Sequence, residues 1–214
     1  MRTAFGEKTK GKILYSSLTL FNTDGFDAVT TSRIAEAASV LDGTLWYHFN
    51  AKSDLVSAHL IALEQSLKDQ FDTANTSDHP FAVEQFLGVF DVLWDFRYLL
   101  RDPLQDLQRD PLFAKRLQSA YTSVEEQAKL RLTAAAEEGL LDLSEIDAAT
   151  LAASCVIIGR YWFDYSRVRN NVGSKVEQHR LEGIQQIVSI LRPHFTERAK
   201  SMFKNAKITL PSQV

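Results

Sequence analysis

TTSRIAEAASVLDGTLWYHFNAKSDL, from Thr30 to Leu55, decides how this chain is read. It holds two short helical signals around a tight turn, then an aromatic cluster and a lysine. A helix precedes it, with Ile13, Leu14, Leu18 and Phe21 on one stripe and Gly25 at its end. Three short helices in about fifty residues, the last carrying small and aromatic groups, suit a helix-turn-helix that reads DNA.

The segment resembles the N-terminal domain of the tetracycline-repressor (TetR) family of bacterial transcriptional regulators. The matching positions are Ile13-Leu14, Leu20-Phe21, Gly25-Phe26, Thr30, Ile34-Ala35, Ala38, Val40, Gly43-Thr44-Leu45, His48-Phe49, Lys52 and Leu55. Taken as such a reader, Thr30 caps the second helix. Its first turn, Thr31, Ser32 and Arg33, points donors at the DNA backbone and one base edge. The turn is Ser39-Val40-Leu41, and the third helix begins near Asp42. Gly43 and Thr44 are small enough for close approach to the groove. Leu45 and Phe49 face a small core. Tyr47, His48 and Lys52 are expected on phosphates, which carry most of the affinity and its salt dependence. Three positions depart from the family pattern. Ser39 stands where glycine is usual and tolerates positive φ poorly. Leu41 replaces a capping residue. Trp46 replaces a phosphate-bonding tyrosine, and its indole N–H donates with a different reach. Asp42 is a carboxylate at the groove-facing start; it repels phosphate but can accept from cytosine N4. It is expected to set specificity at one base pair.

Composition limits the alternatives. The 214 residues carry 24 Lys and Arg against 27 Asp and Glu, a net charge of −3. Such a balance argues against a protein that coats nucleic acid over its whole surface. Residues 1–60 hold six basic and six acidic side chains, with Arg2, Lys8, Lys10 and Lys12 set against Glu7 alone. That basic start offers Lys8 and Lys10 to phosphates. One cysteine, Cys155, cannot form an internal disulfide, and its apolar run LAASCVIIG reads as core. MRTAFGEKTKGK has no apolar core and reads as no secretory signal. The longest apolar run, 148–159, is short of the ~20 residues that span a bilayer. A cytoplasmic location is expected by elimination. The five histidines are scattered without metal-ligand spacing, and no catalytic set or phosphate loop is visible. The sequence therefore calls for no cofactor, no metal and no enzyme.

With only 9 Gly and 5 Pro, the rest of the chain reads as long helices. One runs from Lys52 past Phe71. TANTSDHP, 73–80, reads as a loop, and 81–100 as a single helix buried on more than one side. Asp102-Pro103 opens a very short helix over 104–108. Asp110-Pro111 opens a long one that Gly139 ends. Ser144-Glu145-Ile146-Asp147 resembles a capping box and opens a helix to about Val168. Residues 170–174 read as a turn, the helix after it ends before Pro193, and a weaker helix follows over 197–206. The expectation is an all-α chain of about nine helices. Residues 1–52 form the helix-turn-helix domain, and 53–214 a helical ligand-binding and dimerisation domain.

The resemblance further implies a homodimer on a near-palindromic double-stranded DNA site, paired through the last two long helices. Ala149, Ala153, Val156 and Ile157 offer one face; Ile184, Ile187, Val188 and Leu191 offer another. It also implies a pocket for a small-molecule effector in the middle helices, with Phe90, Trp94, Tyr98, Tyr121, Arg160, Trp162 and Tyr165 as candidates. On these readings the chain is a dimeric regulator, most simply a repressor released by its effector. The alternative is a helical carrier or dimerisation module whose reader has lost DNA affinity, which the neutral N-terminal charge, Asp42 and the altered turn keep open.

Overall fold

The structure, a computed structural model, describes residues 8–75, 83–100, 111–169 and 176–205. Nine α-helices lie among them: α1 (Thr9–Asp24), α2 (Thr31–Ala37), α3 (Asp42–His48), α4 (Lys52–Asn75), α5 (Val83–Asp95), α6 (Pro111–Glu137), α7 (Ala148–Arg169), α8 (Val176–Leu191) and α9 (Glu197–Asn205). Two 3₁₀ turns, Arg97–Leu100 and Arg192–His194, accompany them. The described residues contain no strand, only an isolated bridge between Leu141 and Phe195. The all-α expectation is met. The short helix expected over 104–108 and the turn over 170–174 lie outside the described residues.

The chain divides into two compact units, Met1–Asp69 with Val92–Ala120, and Gln70–Asp91 with Tyr121–Val214. In the first, α1 buries Ile13, Leu14, Leu18 and Phe21, as its stripe requires, and α4 buries Leu55, Val56, Leu60 and Leu63. Polar side chains share this core. Asn22 donates to the Asp95 carbonyl at 2.7 Å and accepts the Tyr98 N–H at 3.0 Å. His59 lies between the Leu14 carbonyl at 3.0 Å and the Tyr98 hydroxyl at 2.6 Å. Ser17 donates to the same Leu14 carbonyl at 3.0 Å. Each of these buried groups is thus satisfied, as burial demands. The network also explains a departure from expectation. The segment 81–100 does not continue as one helix; α5 stops at Asp95 and the chain tightens into the 3₁₀ turn. Asn22 takes the very carbonyl and N–H that a continuing helix would use there.

The second unit has an apolar core where α6, α7, α8 and α9 meet: Leu132, Ala135, Leu140, Leu141, Leu151, Ala152, Cys155, Leu191, Phe195 and Ala199. Cys155 belongs to it, and burial pushes its thiol up to about 12, so it stays protonated. Gly139 ends α6 at φ +71°. The capping box expected at Ser144 does not open α7. Asp147 does so, accepting the Thr150 N–H at 2.9 Å and its hydroxyl at 2.7 Å, which holds its carboxyl below the usual range. Thr196 caps α9: it accepts the Ala199 N–H at 3.3 Å and donates to the Gly139 carbonyl at 2.8 Å.

Candidate nucleic-acid interface

Helices α2 and α3 stand on α1 through Ile34, Ala35 and Leu45, all buried, with Phe49 closing the end of α3. Thr30 caps α2, its hydroxyl accepting the Arg33 N–H at 3.3 Å. The turn after α2 takes the left-handed shape in spite of its serine. Ser39 sits at φ +55°, its N–H on the Glu36 carbonyl and the Val40 N–H on the Ala35 carbonyl, both at 2.9 Å. That is the paired closure of a Schellman turn. Leu41 then precedes α3 without a side-chain cap, 80% exposed. The expected cap defect is present: no side chain at Leu41 caps the first N–H groups of α3.

The outer face of α3 is open. Tyr47 is 84% and Trp46 45% exposed, and the His48 ring meets that of Tyr47 edge-on at 5.1 Å. Gly43 is exposed, with nothing within 4 Å of where a Cβ would stand, and Thr44 is half-buried beside it. The Asp42 carboxylate accepts the Ser32 hydroxyl at 2.8 Å, which ties the start of α3 to the first turn of α2. Thr31 is half-buried in that turn. Arg33 is paired with Asp24, the last residue of α1, at 2.9 Å. Lys8 is exposed at the head of α1, and the exposed Lys10 lies 5.5 Å from the centre of the Phe49 ring.

Lys52 is placed differently from the other expected phosphate ligands. Its ammonium donates to the Phe26 carbonyl and sits 4.1 Å over the Phe26 ring and 5.6 Å over that of Phe21. Partial burial lowers its pKa, and nearby Asp27 opposes that shift. This lysine holds the turn at Phe26 onto α4, a role that its spacing in the sequence does not reveal.

The candidate effector residues are divided between the two units. Trp94 and Tyr98 lie in the first. Tyr98 is 2% exposed and committed to His59. In the second unit, Arg160 lies 4.7 Å over Tyr121 and the Trp162 and Tyr165 rings are 5.6 Å apart. Phe90 and Trp162 close on Gly183, where a Cβ would stand 2.6 Å from Phe90 Cζ and 2.5 Å from Trp162 Cδ1. Only glycine allows that approach.

On the expected pairing faces, Ala149, Ala153, Val156, Ile184 and Val188 are half-buried. Ile187 and Leu191 pack into their own chain's core. The open apolar stripe of α7 runs through Ile157, one of the expected pairing residues, and on through Tyr161, Tyr165 and Val168, between 51% and 80% exposed, with Leu181 of α8 also bare. Tyr161, Val168 and Leu181 are not among the pairing residues expected from the sequence. A spacing of four, four and three residues from Ile157 is the signal that finds the α7 members. Among the described residues no helix is long and apolar enough to cross a membrane.

With this geometry in place, the likeness to known proteins is specific. Residues 13–59 match the model "Bacterial regulatory proteins, tetR family", and residues 62–203 match the TetR model "Bacterial transcriptional repressor". The HTH-type transcriptional regulator UidR of Escherichia coli K12 is 22% identical over 135 residues, 62% of this chain and 69% of UidR. A TetR-family regulator from Marinobacter aquaeolei VT8 shares the fold at a TM-score of 0.78 and 24% identity, covering 94% of this chain and 98% of that one. CprB of Streptomyces coelicolor, solved with its operator sequence, does so at 0.66 and 20% identity, covering 92% and 93%.

Proposed function

This chain belongs to the TetR family of bacterial transcriptional regulators, a DNA-binding and not an enzymatic class, and from that membership we propose that it acts in the cytoplasm as a homodimeric repressor released by a small molecule. The observation that carries the reading is the α2–α3 pair, closed by the left-handed Ser39 and presenting Gly43, Thr44, Trp46 and Tyr47 on one face. Residues 1–52 supply the reader. Gly43 and Thr44 enter the major groove, Asp42 accepts from a cytosine N4, and Trp46, Tyr47 and His48 donate to phosphates. Thr31, Ser32 and Arg33 face the backbone from α2, and Lys8 and Lys10 add cations from the start of α1. Lys52 acts through the fold, by holding the turn at Phe26.

A single half-site gives modest affinity, and two readers on a two-fold axis demand half-sites about 34 Å apart. The bare stripe Ile157, Tyr161, Tyr165 and Val168 supports pairing with a second copy along α7, as exposed apolar patches on soluble proteins commonly do. Effector binding is assigned to the second unit, where Tyr121, Arg160 and the buried Trp162 supply aromatic walls and one cation.

Selection from a random duplex pool tests the reading. A regulator enriches a near-palindrome, and its binding falls steeply as salt rises. Asp42→Ala then relaxes one base position per half-site. Enrichment of nothing, with a monomeric protein in solution, rejects the regulator in favour of the carrier.

A further inference from the structure

Arg33 is the one arginine of the α2 first turn, and in the free protein it is already engaged. Its guanidinium Nη2 meets Asp24 Oδ2 at 2.9 Å, with the arginine side chain 51% and the aspartate 33% exposed. Asp24 ends α1, and no basic residue occupies the last turn of that helix. A carboxylate at a helix C-terminus meets the negative end of the dipole, so α1 gains nothing from it. What holds the carboxylate is the arginine of the neighbouring helix. A phosphate oxygen seeks the same N–H donors that Asp24 occupies, with the same sign of charge and nearly the same geometry.

We propose that Asp24 is an internal competitor for DNA phosphate at Arg33, a brake on the sequence-independent part of binding. The inference rests on the DNA-reading function proposed above. It gives a role to one of the six acids that balance six bases over residues 1–60. Phosphate must displace Asp24 from Arg33 or share the guanidinium with it. Because the pair is exposed, it is weak and yields to DNA: the brake moderates affinity without abolishing it. With Arg33 on a phosphate and the base edge left to the other donors of that turn, the effect is blind to sequence.

Asp24→Asn keeps the shape and removes the charge. The expected result is tighter binding to the selected operator and to an unrelated duplex alike, by roughly two- to fivefold per reader in dilute salt. The gain shrinks as ionic strength rises, because exposed charges are screened. In an Arg33→Ala background the same substitution has no effect. Equal melting temperatures of the variants show that the fold is intact. Unchanged or weaker binding, a gain confined to the operator, or a gain that persists without Arg33 each overturns the assignment. The parent protein separates the two levels. If it binds no duplex at all, the regulator reading fails and Asp24 goes with it; if it binds and Asp24→Asn changes nothing, the brake alone is wrong.

Discussion

The first unit buries Ser17, Asn22 and His59 among its apolar side chains; in the second, Ser166 is the one polar residue buried among those described. The difference separates two ways of fixing a helix. An apolar core rewards filling space and tolerates small shifts. A buried polar network has one satisfied arrangement, and every other arrangement strands a donor or acceptor in low dielectric. The unit that carries the reader uses the second device. Asn22 and His59 register α1 and α4 against the turn Arg97–Leu100 to within a hydrogen bond. The second unit relies on contact area and on caps outside its buried core, Asp147 and Thr196. Five substitutions, one of them read against pH, probe that contrast and the reader's turn.

Phe21 is fully buried and meets Phe26 at 5.2 Å, Tyr98 at 5.1 Å and His59 at 5.9 Å between ring centres. Phe21→Ala should cost about 3–5 kcal/mol, at the top of the range for large-to-small core changes. It removes the apolar wall of the polar network as well as its own packing. Leu132→Ala, in the second core, should cost about 2–5 kcal/mol and leave the His59–Tyr98 pair untouched. Urea unfolding gives both values. A smaller loss at Phe21 than at Leu132 would break the contrast.

His59 gives the next effect. Burial lowers its pKa to about 4 against an ordinary 6.5. Above pH 6.5 neither folded nor unfolded chain holds the proton, and His59 adds no pH dependence. Between 6.5 and 4 the unfolded chain alone takes it up, so stability is lost as pH falls, by about 3 kcal/mol in all. The matching variant His59→Gln should lose stability at neutral pH yet show a shallower decline toward pH 4.5. Parallel declines in the two proteins would remove His59 from the account. Asn22→Ala comes third. It leaves the Asp95 carbonyl and the Tyr98 N–H without Asn22, at about 1–3 kcal/mol. A loss within 0.5 kcal/mol, about the size of an ordinary surface change, would mean that the network does not fix the register.

Much of this is legible in the sequence, for physical reasons. The α1 stripe, the Thr30 cap, the α3 start at Asp42 and the Pro111 start of α6 are local signals, each carried by a few adjacent residues. What the sequence hides depends on partners far along the chain. Asn22 ends α5 from 73 residues away, and no window around Asp95 contains it. Lys52 lies 26 residues from the Phe26 carbonyl that takes its ammonium. Asp147 displaces Ser144 as the α7 cap because it has Thr150 in reach. On α7 the residues at 149, 153, 156 and 157 suggest a pairing face, of which Ile157 is bare, and the bare stripe runs on from it to Tyr161, Tyr165 and Val168.

The smallest effect concerns the turn on which the reader depends. Ser39 holds φ +55°, a region where a Cβ crowds the following carbonyl and costs roughly 1–2 kcal/mol. Glycine removes that cost, but its freer unfolded chain returns about 0.5–1 kcal/mol. Ser39→Gly should therefore stabilise the reader by about 0.5–1 kcal/mol, with the turn's two N–H bonds to Glu36 and Ala35 kept. Because those bonds already fix the angle between α2 and α3, the selected operator should not change. Hydrogen exchange at Val40, together with thermal melting, reads the effect. A destabilised Ser39→Gly would mean that the serine hydroxyl serves the turn. An altered operator would mean that the serine's strain, and not the backbone closure, sets where α3 points.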